Sequence, residues 1–330
     1  MSAVEWVRRV FHDGAHCAVT DLVRWRGALY LAFRHAERHA NTPPGDIWIL
    51  RSRDGADWER VGLLSSGLDD RDPKLVAEED RLWCFWGAAR LDTHADGRPV
   101  EGGRRWIESH ASWTQSGTSW EVPRAIHEPG WWLWRPLRFA DGWWSTAYGR
   151  DLEREPPVLE VRLFHSADGV RWHERARLCE AGEGNEGTLH RRADGSLLAV
   201  VRAVGEHTWL FEAEAPYTRF ERGRLEHWAH APALCEHEGA LFLAGRARGE
   251  RDEPLTRLWR LEGWQGGVGA MKSVELCSLP SGGDNSYCGL VADGPGALLV
   301  SYYSQHEFEG VPGFVLNDKP AALYLARVRV

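Results

Sequence analysis

Apolar residues along this chain come in short runs, many alternating with polar ones, and each run is closed by a turn signal. Six runs follow a turn glycine or aspartate: GALYLAFR (27–34), DRLWCFWG (80–87), DGWWSTAY (141–148), GSLLAVVR (195–202), GALFLAGR (239–246) and GALLVSYY (296–303). Runs this short, with period two and bounded by Gly, Asp and Ser, predict strands joined in hairpins rather than amphipathic helices. Their recurrence along the whole chain predicts a repeat architecture.

A second motif keeps the same phase. Ser52-Arg53-Asp54-Gly55-Ala56-Asp57-Trp58 and Ser166-Ala167-Asp168-Gly169-Val170-Arg171-Trp172 share the pattern S-x-D-G-x-x-W, and Thr114-Gln115-Ser116-Gly117-Thr118-Ser119-Trp120 is a decayed copy. The Ser and Asp side chains can bond the turn backbone, glycine takes the positive-φ position, and tryptophan folds under the turn. Each copy follows an apolar strand: IWILRS, VRLFHS and IESHASWT. Together the repeats predict an all-β chain, residues 1–330 forming one six-bladed β-propeller of four-stranded blades. The expected blades are 14–66, 67–127, 128–180, 181–226, 227–277 and 278–330, with VEWVRRVF near the N-terminus closing the last blade. Five blades is the alternative, should the glycine-poor second or third unit be miscounted.

Composition agrees. The 19 Trp and 35 Gly suit a twisted sheet protein with many tight turns better than a helical bundle. A net charge of −8 with interspersed signs argues against a nucleic-acid binder, whose footprint is a basic face. Cys17, Cys84, Cys179, Cys235, Cys277 and Cys288 lack C-x-x-C spacing and read as small buried hydrophobes, with neither a metal site nor a disulfide framework expected. No apolar run approaches a membrane span, and MSAVEWVRRVFHDG has no apolar leader core, so no membrane partner and a cytoplasmic location are expected.

In a propeller, equivalent positions of different blades converge on one mouth. Arg34, Arg202 and Arg246 each stand seven residues after a turn glycine, an expected shared register of guanidinium forks suited to a planar anion. The starts of the innermost strands carry Asp21, Asp72, Arg135, Glu186 and Tyr287, while the fifth blade begins with the small apolar HAPAL. Ionisable residues at such buried positions need partners or a function. Asp21, Asp72 and Glu186 supply carboxylates for glycosidic chemistry, and Tyr287 supplies a candidate nucleophile.

These residues resemble the sialidase (neuraminidase) superfamily of six-bladed Asp-box propellers, at the level of architecture over most of the chain. Asn185-Glu186 followed by Asp194-Gly195-Ser196 and Arg202 looks like the segment bearing the glutamate partner of the nucleophile and one arginine of the substrate-carboxylate triad. Ser286-Tyr287-Cys288-Gly289-Leu290 looks like the nucleophile segment, and Arg246 stands where another triad arginine is expected. The segments Thr20-Asp21-Leu22, Phe33-Arg34, Arg71-Asp72-Pro73-Lys74-Leu75, Asn185-Glu186-Gly187 and Ser286-Tyr287 through Ser304 also resemble sialidase-like bacterial proteins of undefined activity. The resemblance implies a retaining exo-glycosidase for a terminal acidic sugar; no calcium-loop, P-loop or dinucleotide motif is present in the sequence, so no cofactor is expected. Tyr287 would attack, Glu186 would take its proton, and Asp72 would serve as acid/base, with Glu37 and Asp46 as other candidates. Arg34, Arg202, Arg246, Asp21, Arg71, Arg135 and Tyr303 would line the substrate site.

The pattern also departs from the family. Val19-Thr20-Asp21-Leu22 has no arginine where the first triad member is expected, and Tyr302 or Tyr303 stands for the glutamate that braces it. Another carbohydrate-active enzyme, a glycosidase of a different sugar or a polysaccharide lyase using His35, His39 or His306, therefore stays open, as does a non-catalytic glycan-binding propeller. Trp131, Trp132 and Trp134 read as blade packing or as a sugar platform. The polar loops 91–105 and 305–320 are long enough to overhang one face.

Overall fold

A computed structural model of the chain describes residues 3–39, 44–92, 100, 105–151, 158–179, 182–308 and 319–330. The two overhanging loops proposed from the sequence fall mostly outside these residues. Strand β1 (Val4–Phe11) comes first, and six sheets follow in chain order. Blade 1 is β2 (His16–Trp25), β3 (Ala28–Ala36), β4 (Asp46–Ser52) and β5 (Glu59–Leu64). Blade 2 is β6 (Asp69–Ala77), β7 (Leu82–Leu91), β8 (Arg105–Thr114) and β9 (Arg124–Ala125). In blade 3 the innermost strand is split into β10 (Trp131–Leu133) and β11 (Leu137–Phe139), both paired to β12 (Gly142–Asp151), with β13 (Val158–Ser166) and β14 (His173–Cys179) outside.

Blade 4 is β15 (Gly184–Arg191), β16 (Leu197–Ala203), β17 (Thr208–Ala213) and β18 (Glu221–Leu225). Blade 5 is β19 (His230–His237), β20 (Ala240–Arg248), β21 (Pro254–Glu262) and β22 (Lys272–Leu279), ending two residues beyond the expected limit. Blade 6 is β23 (Asn285–Ala292), β24 (Ala297–Ser304) and β25 (Ala322–Arg329), with β1 antiparallel to β25 as its outer strand. Six sheets exclude the five-bladed alternative.

The core follows from alternation. Each sheet buries apolar side chains on both faces, so a separate apolar cluster fills each seam between neighbouring blades. Trp25, Ile47 and Ile49 of blade 1 meet Leu75, Cys84 and Trp86 of blade 2. The ring closes where Cys17, Leu31 and Phe33 of blade 1 meet Leu299, Leu323 and Leu325 of blade 6.

The repeated turns behave as their composition dictates. In the first, Ser52 Oγ accepts from the Gly55 amide at 2.9 Å and Asp54 Oδ1 accepts from the Ala56 and Asp57 amides at 2.9 and 3.1 Å. Ser166 and Asp168 repeat the arrangement. In the decayed copy Thr114 Oγ1 accepts from Gly117 and Ser116 Oγ accepts from Ser119, so a threonine hydroxyl keeps the serine's place and a serine hydroxyl replaces the aspartate carboxylate. Trp172 lies buried beneath its turn and donates to the Gly169 carbonyl at 3.1 Å. Trp172→Ala is expected to destabilise the fold by about 3–5 kcal/mol, the usual loss for a truncated core aromatic. Chemical denaturation reads this directly, and an unchanged midpoint would contradict the packing role of the turn tryptophan.

Candidate active site

The inner strand of a blade starts with a surplus residue. Val19–Thr20, Asp72–Pro73, Asn185–Glu186, Ala231–Pro232 and Tyr287–Cys288 each occupy a break in the ladder where two residues face one. In blade 3 the corresponding stretch is Trp134-Arg135-Pro136, between the two halves of the split strand. Val19, Asp72, Ala231 and Tyr287 take positive φ values of 54, 52, 50 and 50°. Left-handed backbone is uncommon for such residues, and bulges of this kind re-aim side chains. Thr20 Oγ1 helps to hold the bulge of the sixth blade, donating to the Tyr287 carbonyl at 2.9 Å.

Three blades meet at Glu186. Tyr287 Oη donates to Glu186 Oε1 at 2.8 Å, and Arg202 Nη1 donates to the same oxygen at 2.9 Å. The Ala231 amide, turned inward by its own bulge, donates to Oε2 at 2.9 Å. Burial, followed by the Glu186 charge, pushes the Tyr287 phenol well above its ordinary range, so it stays protonated. The Arg246 guanidinium lies 5.2 Å from the Tyr287 ring centre.

Arg246 is itself braced. It donates to Asp284 Oδ1 at 2.7 Å, to the Asn285 carbonyl, and to Tyr303 Oη at 3.0 Å, and Tyr303 donates to Asp284 at 2.7 Å. Burial alone would raise the Asp284 carboxyl, but His16, His39 and Arg246 together hold it well below the usual range. Among the described residues, Nη1 of Arg246 and Nε and Nη2 of Arg202 have no hydrogen-bond partner, leaving donors from two blades for an anion.

Asp72 is buried and accepts no hydrogen bond from the described residues. Burial raises its carboxyl; Lys74 and Arg71 pull it down and Glu186 pushes it up, leaving the net shift upward. Lys74 forms the floor beside it, 1% exposed, donating to the Pro73 carbonyl at 3.1 Å and lying 5.0 Å from the Trp134 ring. Burial brings its ammonium down to about 8. Tyr148 of blade 3, stacked on Trp132, completes the wall, and its phenol is raised by burial and then by Glu186 and Asp72. The sequence reading assigned no role to Lys74 or Tyr148. A lysine inside RDPKL, on a strand buried on both faces, was the available signal.

Other candidates are held by the protein. Asp21 accepts from Arg135 Nη1 at 2.8 Å and from the Leu75 amide at 2.7 Å, while Arg135 Nη2 donates to the Cys288 carbonyl. This buried pair pins blades 1, 2, 3 and 6 together at the axis. Arg34, also buried, pairs with Asp69 of blade 2 at 2.7 Å. Arg71 contacts the other Asp69 oxygen at 3.5 Å and His39 Nε2 at 3.3 Å. Glu37 is exposed and paired to Arg38, and Asp46 opens β4. His35 stacks on Trp48, and His306 binds Ser304. Trp132 and Trp134 are buried in the wall, in agreement with packing.

The shared arginine register needs correction. Arg34 and Arg246 face Ala18 and His230, directly before the bulges, whereas Arg202 stands one ladder position earlier, opposite the bulge itself. The blade 4 hairpin joins Arg191 to Leu197 through a longer loop than the tight turns at Gly27 and Gly239, so counting from Gly195 slips by one.

His16, His39 and Asp284 bring ligand-type atoms within 4.8 Å of one another. Their polarity is that of an ion-pair network instead: His39 Nδ1 donates to Asp284 at 2.6 Å, its Nε2 faces the Arg71 guanidinium, and Arg246 holds the other Asp284 oxygen.

No family model and no curated protein matches the chain. Solved structures do. A protein of unknown function from Dyadobacter fermentans superposes with a TM-score of 0.81 at 17% identity, over 99% of this chain and 98% of that one. A leech intramolecular trans-sialidase complexed with 2,7-anhydro-Neu5Ac gives 0.71 at 11% identity, over 98% and 70%. Trypanosoma rangeli sialidase in complex with sialic acid gives 0.64 at 12% identity, over 97% of this chain and 55% of that one. The chain thus spans about half the length of the trypanosomal sialidase, and what it shares with these proteins is the six-bladed propeller fold.

Breaking the axial pair is expected to be costly, since a lone buried charge remains: Asp21→Leu should lose about 3–5 kcal/mol, and Asp21→Leu with Arg135→Met should recover more than half of that. Urea unfolding of the two variants measures both. Equal losses would show that the pair is not the axial pin.

Proposed function

We propose that the protein is an exo-acting glycoside hydrolase that removes a terminal acidic sugar, a sialic acid or related ulosonic acid, with retention of configuration. The observation that carries this reading is the hydrogen bond of 2.8 Å from Tyr287 to Glu186, beside two arginines with open donors. A phenol held protonated is a poor nucleophile until a base takes its proton during attack, and Glu186 stands in reach to do so. A neutral nucleophile also avoids repulsion from a substrate carboxylate held by Arg202 and Arg246.

In the first step Tyr287 Oη bonds to the anomeric carbon, its proton passes to Glu186, and the glycosidic C–O bond breaks as Asp72 protonates the leaving oxygen. In the second, Asp72 takes a proton from water, the water oxygen bonds to the anomeric carbon, the tyrosyl C–O bond breaks, and Glu186 returns the proton to Tyr287. The raised Asp72 carboxyl supports its acid role. The fold neighbour Trypanosoma rangeli sialidase has been captured with 2,3-difluorosialic acid as a covalent intermediate, which supports a two-step route on this scaffold. A second reading, another carbohydrate-active enzyme or a glycan-binding propeller, draws on Val19 and Thr20 at the blade 1 bulge, where an arginine is absent.

Aryl glycosides of sialic acid, KDN, Kdo and uronic acids test the proposal. One acidic member should turn over, and Tyr287→Phe and Glu186→Ala should each abolish turnover while the fold persists. Wild-type rates in Tyr287→Phe would falsify the nucleophile, and silence across the panel would favour the second reading. Because the folded Asp72 carboxyl is raised, it stays protonated above the ordinary carboxylate range. Activity should therefore fall on the alkaline side as Asp72 loses its proton. Asp72→Asn should remove that limb and slow unactivated glycosides by roughly 10²–10⁴-fold, more than aryl ones. An unchanged pH profile would dismiss Asp72 as the acid.

A further inference from the structure

A set of metal-ligand side chains apart from the tyrosine–glutamate centre lies where the ring closes. Asp13 stands in the turn between β1, the outer strand of blade 6, and β2, the inner strand of blade 1. Cys17 of β2 and His35 of β3 are directly opposite one another in the ladder, so their side chains leave the same face of the sheet. Asp13 closes the triangle: its Oδ2 lies 2.8 Å from His35 Nε2, and its Oδ1 lies 3.7 Å from Cys17 Sγ. One ligand atom from each of the three residues lies within 4.8 Å of the other two.

The set is oriented from outside. The His35 ring lies flat on Trp48 with centres 3.9 Å apart, and the Ala15 amide donates to Asp13 Oδ1 at 3.1 Å. Cys17 is fully buried, whereas the Asp13 and His35 side chains are 36% and 22% exposed, which leaves the outer end of the set open to solvent. The charge differs from that around Asp284, which Arg246 neutralises. No arginine or lysine of the described residues pairs with Asp13. Burial would raise the Asp13 carboxyl, but His35 and the Ala15 amide hold it below its ordinary range, so it stays an anion. Burial, then Asp13, pushes the Cys17 thiol well up, so it keeps its proton until a cation displaces it.

We propose that Asp13, Cys17 and His35 form a site for a zinc-class transition metal that fastens the β1–β2 turn to blade 1 at the closure of the ring. With Zn–S of about 2.3 Å and Zn–N or Zn–O of about 2.0–2.1 Å, the ligand atoms of a tetrahedral centre stand roughly 3.3–3.6 Å apart. The sulfur–oxygen separation is already close to this, and the imidazole and carboxylate need to part by about half an ångström. Thiolate, imidazole and carboxylate supply three ligands, with water as the fourth, and the soft thiolate selects zinc over magnesium or calcium. The lack of C-x-x-C spacing does not bear on this site, because the ladder, and not the local sequence, brings Cys17 opposite His35.

The untagged chain is stripped with a chelator, and zinc, cobalt and calcium are added back separately. The wild-type protein should bind one zinc ion, and its melting temperature should rise with zinc concentration by mass action. Cobalt should give the near-ultraviolet absorption of a thiolate–cobalt bond. Cys17→Ser should abolish that absorption. His35→Gln, at a partly exposed position, should weaken zinc binding by at least roughly tenfold, since even an outer-shell partner is worth that much. Neither variant's melting temperature should respond to zinc, and should Cys17→Ser fail to fold, His35→Gln decides. No zinc bound by the wild-type protein, zinc bound equally by the variants, as at adventitious surface histidines, or calcium bound as tightly as zinc overturns the site.

Discussion

Where two residues of an inner strand face one residue of its neighbour, the surplus one must leave the plane of its sheet. In this molecule the surplus falls at the start of the inner strand, and the centre draws Asp72, Glu186, Tyr287 and the Ala231 amide from those positions. Val19 and Ala231 bring little side chain, yet the Ala231 amide becomes a ligand of Glu186. Asp72 and Tyr287 bring their chemistry directly. The same backbone device thus delivers a carboxyl, a phenol and an amide into one small volume. Its positive φ is tolerated because cross-blade bonds such as that from Thr20 to the Tyr287 carbonyl hold it.

Burial of so many charges is sustained by pairing, and the pairing divides the charged groups into two sets. Asp21 with Arg135, and Arg34 with Asp69, have their charges matched within the protein and tie neighbouring blades. Arg202, Arg246 and Asp72 keep donors or acceptors open, as Tyr287 and Glu186 hold each other in place between them. Lys74 lies below both sets, and its lowered ammonium reflects how little water reaches the floor.

Much of the architecture was legible in the chain because propeller turns are local. A Ser, an Asp and a Gly within four residues determine a turn, and six hairpins determine a ring. The inner-strand residues Glu186 and Tyr287 stood out because ionisable and phenolic groups rarely begin a strand buried on both faces. What periodicity does not carry is which blade's partner a side chain finds. Asp69 comes to Arg34 from the next blade, and no spacing within blade 1 announces it. Arg202 was displaced by one position because a longer hairpin loop breaks the count from its glycine. Tyr148 sat inside a run that read as plain strand, and only the assembled ring turns it toward Glu186.

The seam between β1 and β25 joins residues from opposite ends of the described chain. During synthesis β1 emerges first and must wait for its partner until the whole ring has followed. Glu5 of this strand binds Arg327 and Arg329 of β25 across the seam, so charge pairing as well as the ladder closes the ring. The chemistry matures on the same schedule: Glu186 is made long before Tyr287, so the centre cannot assemble while the nascent chain is incomplete.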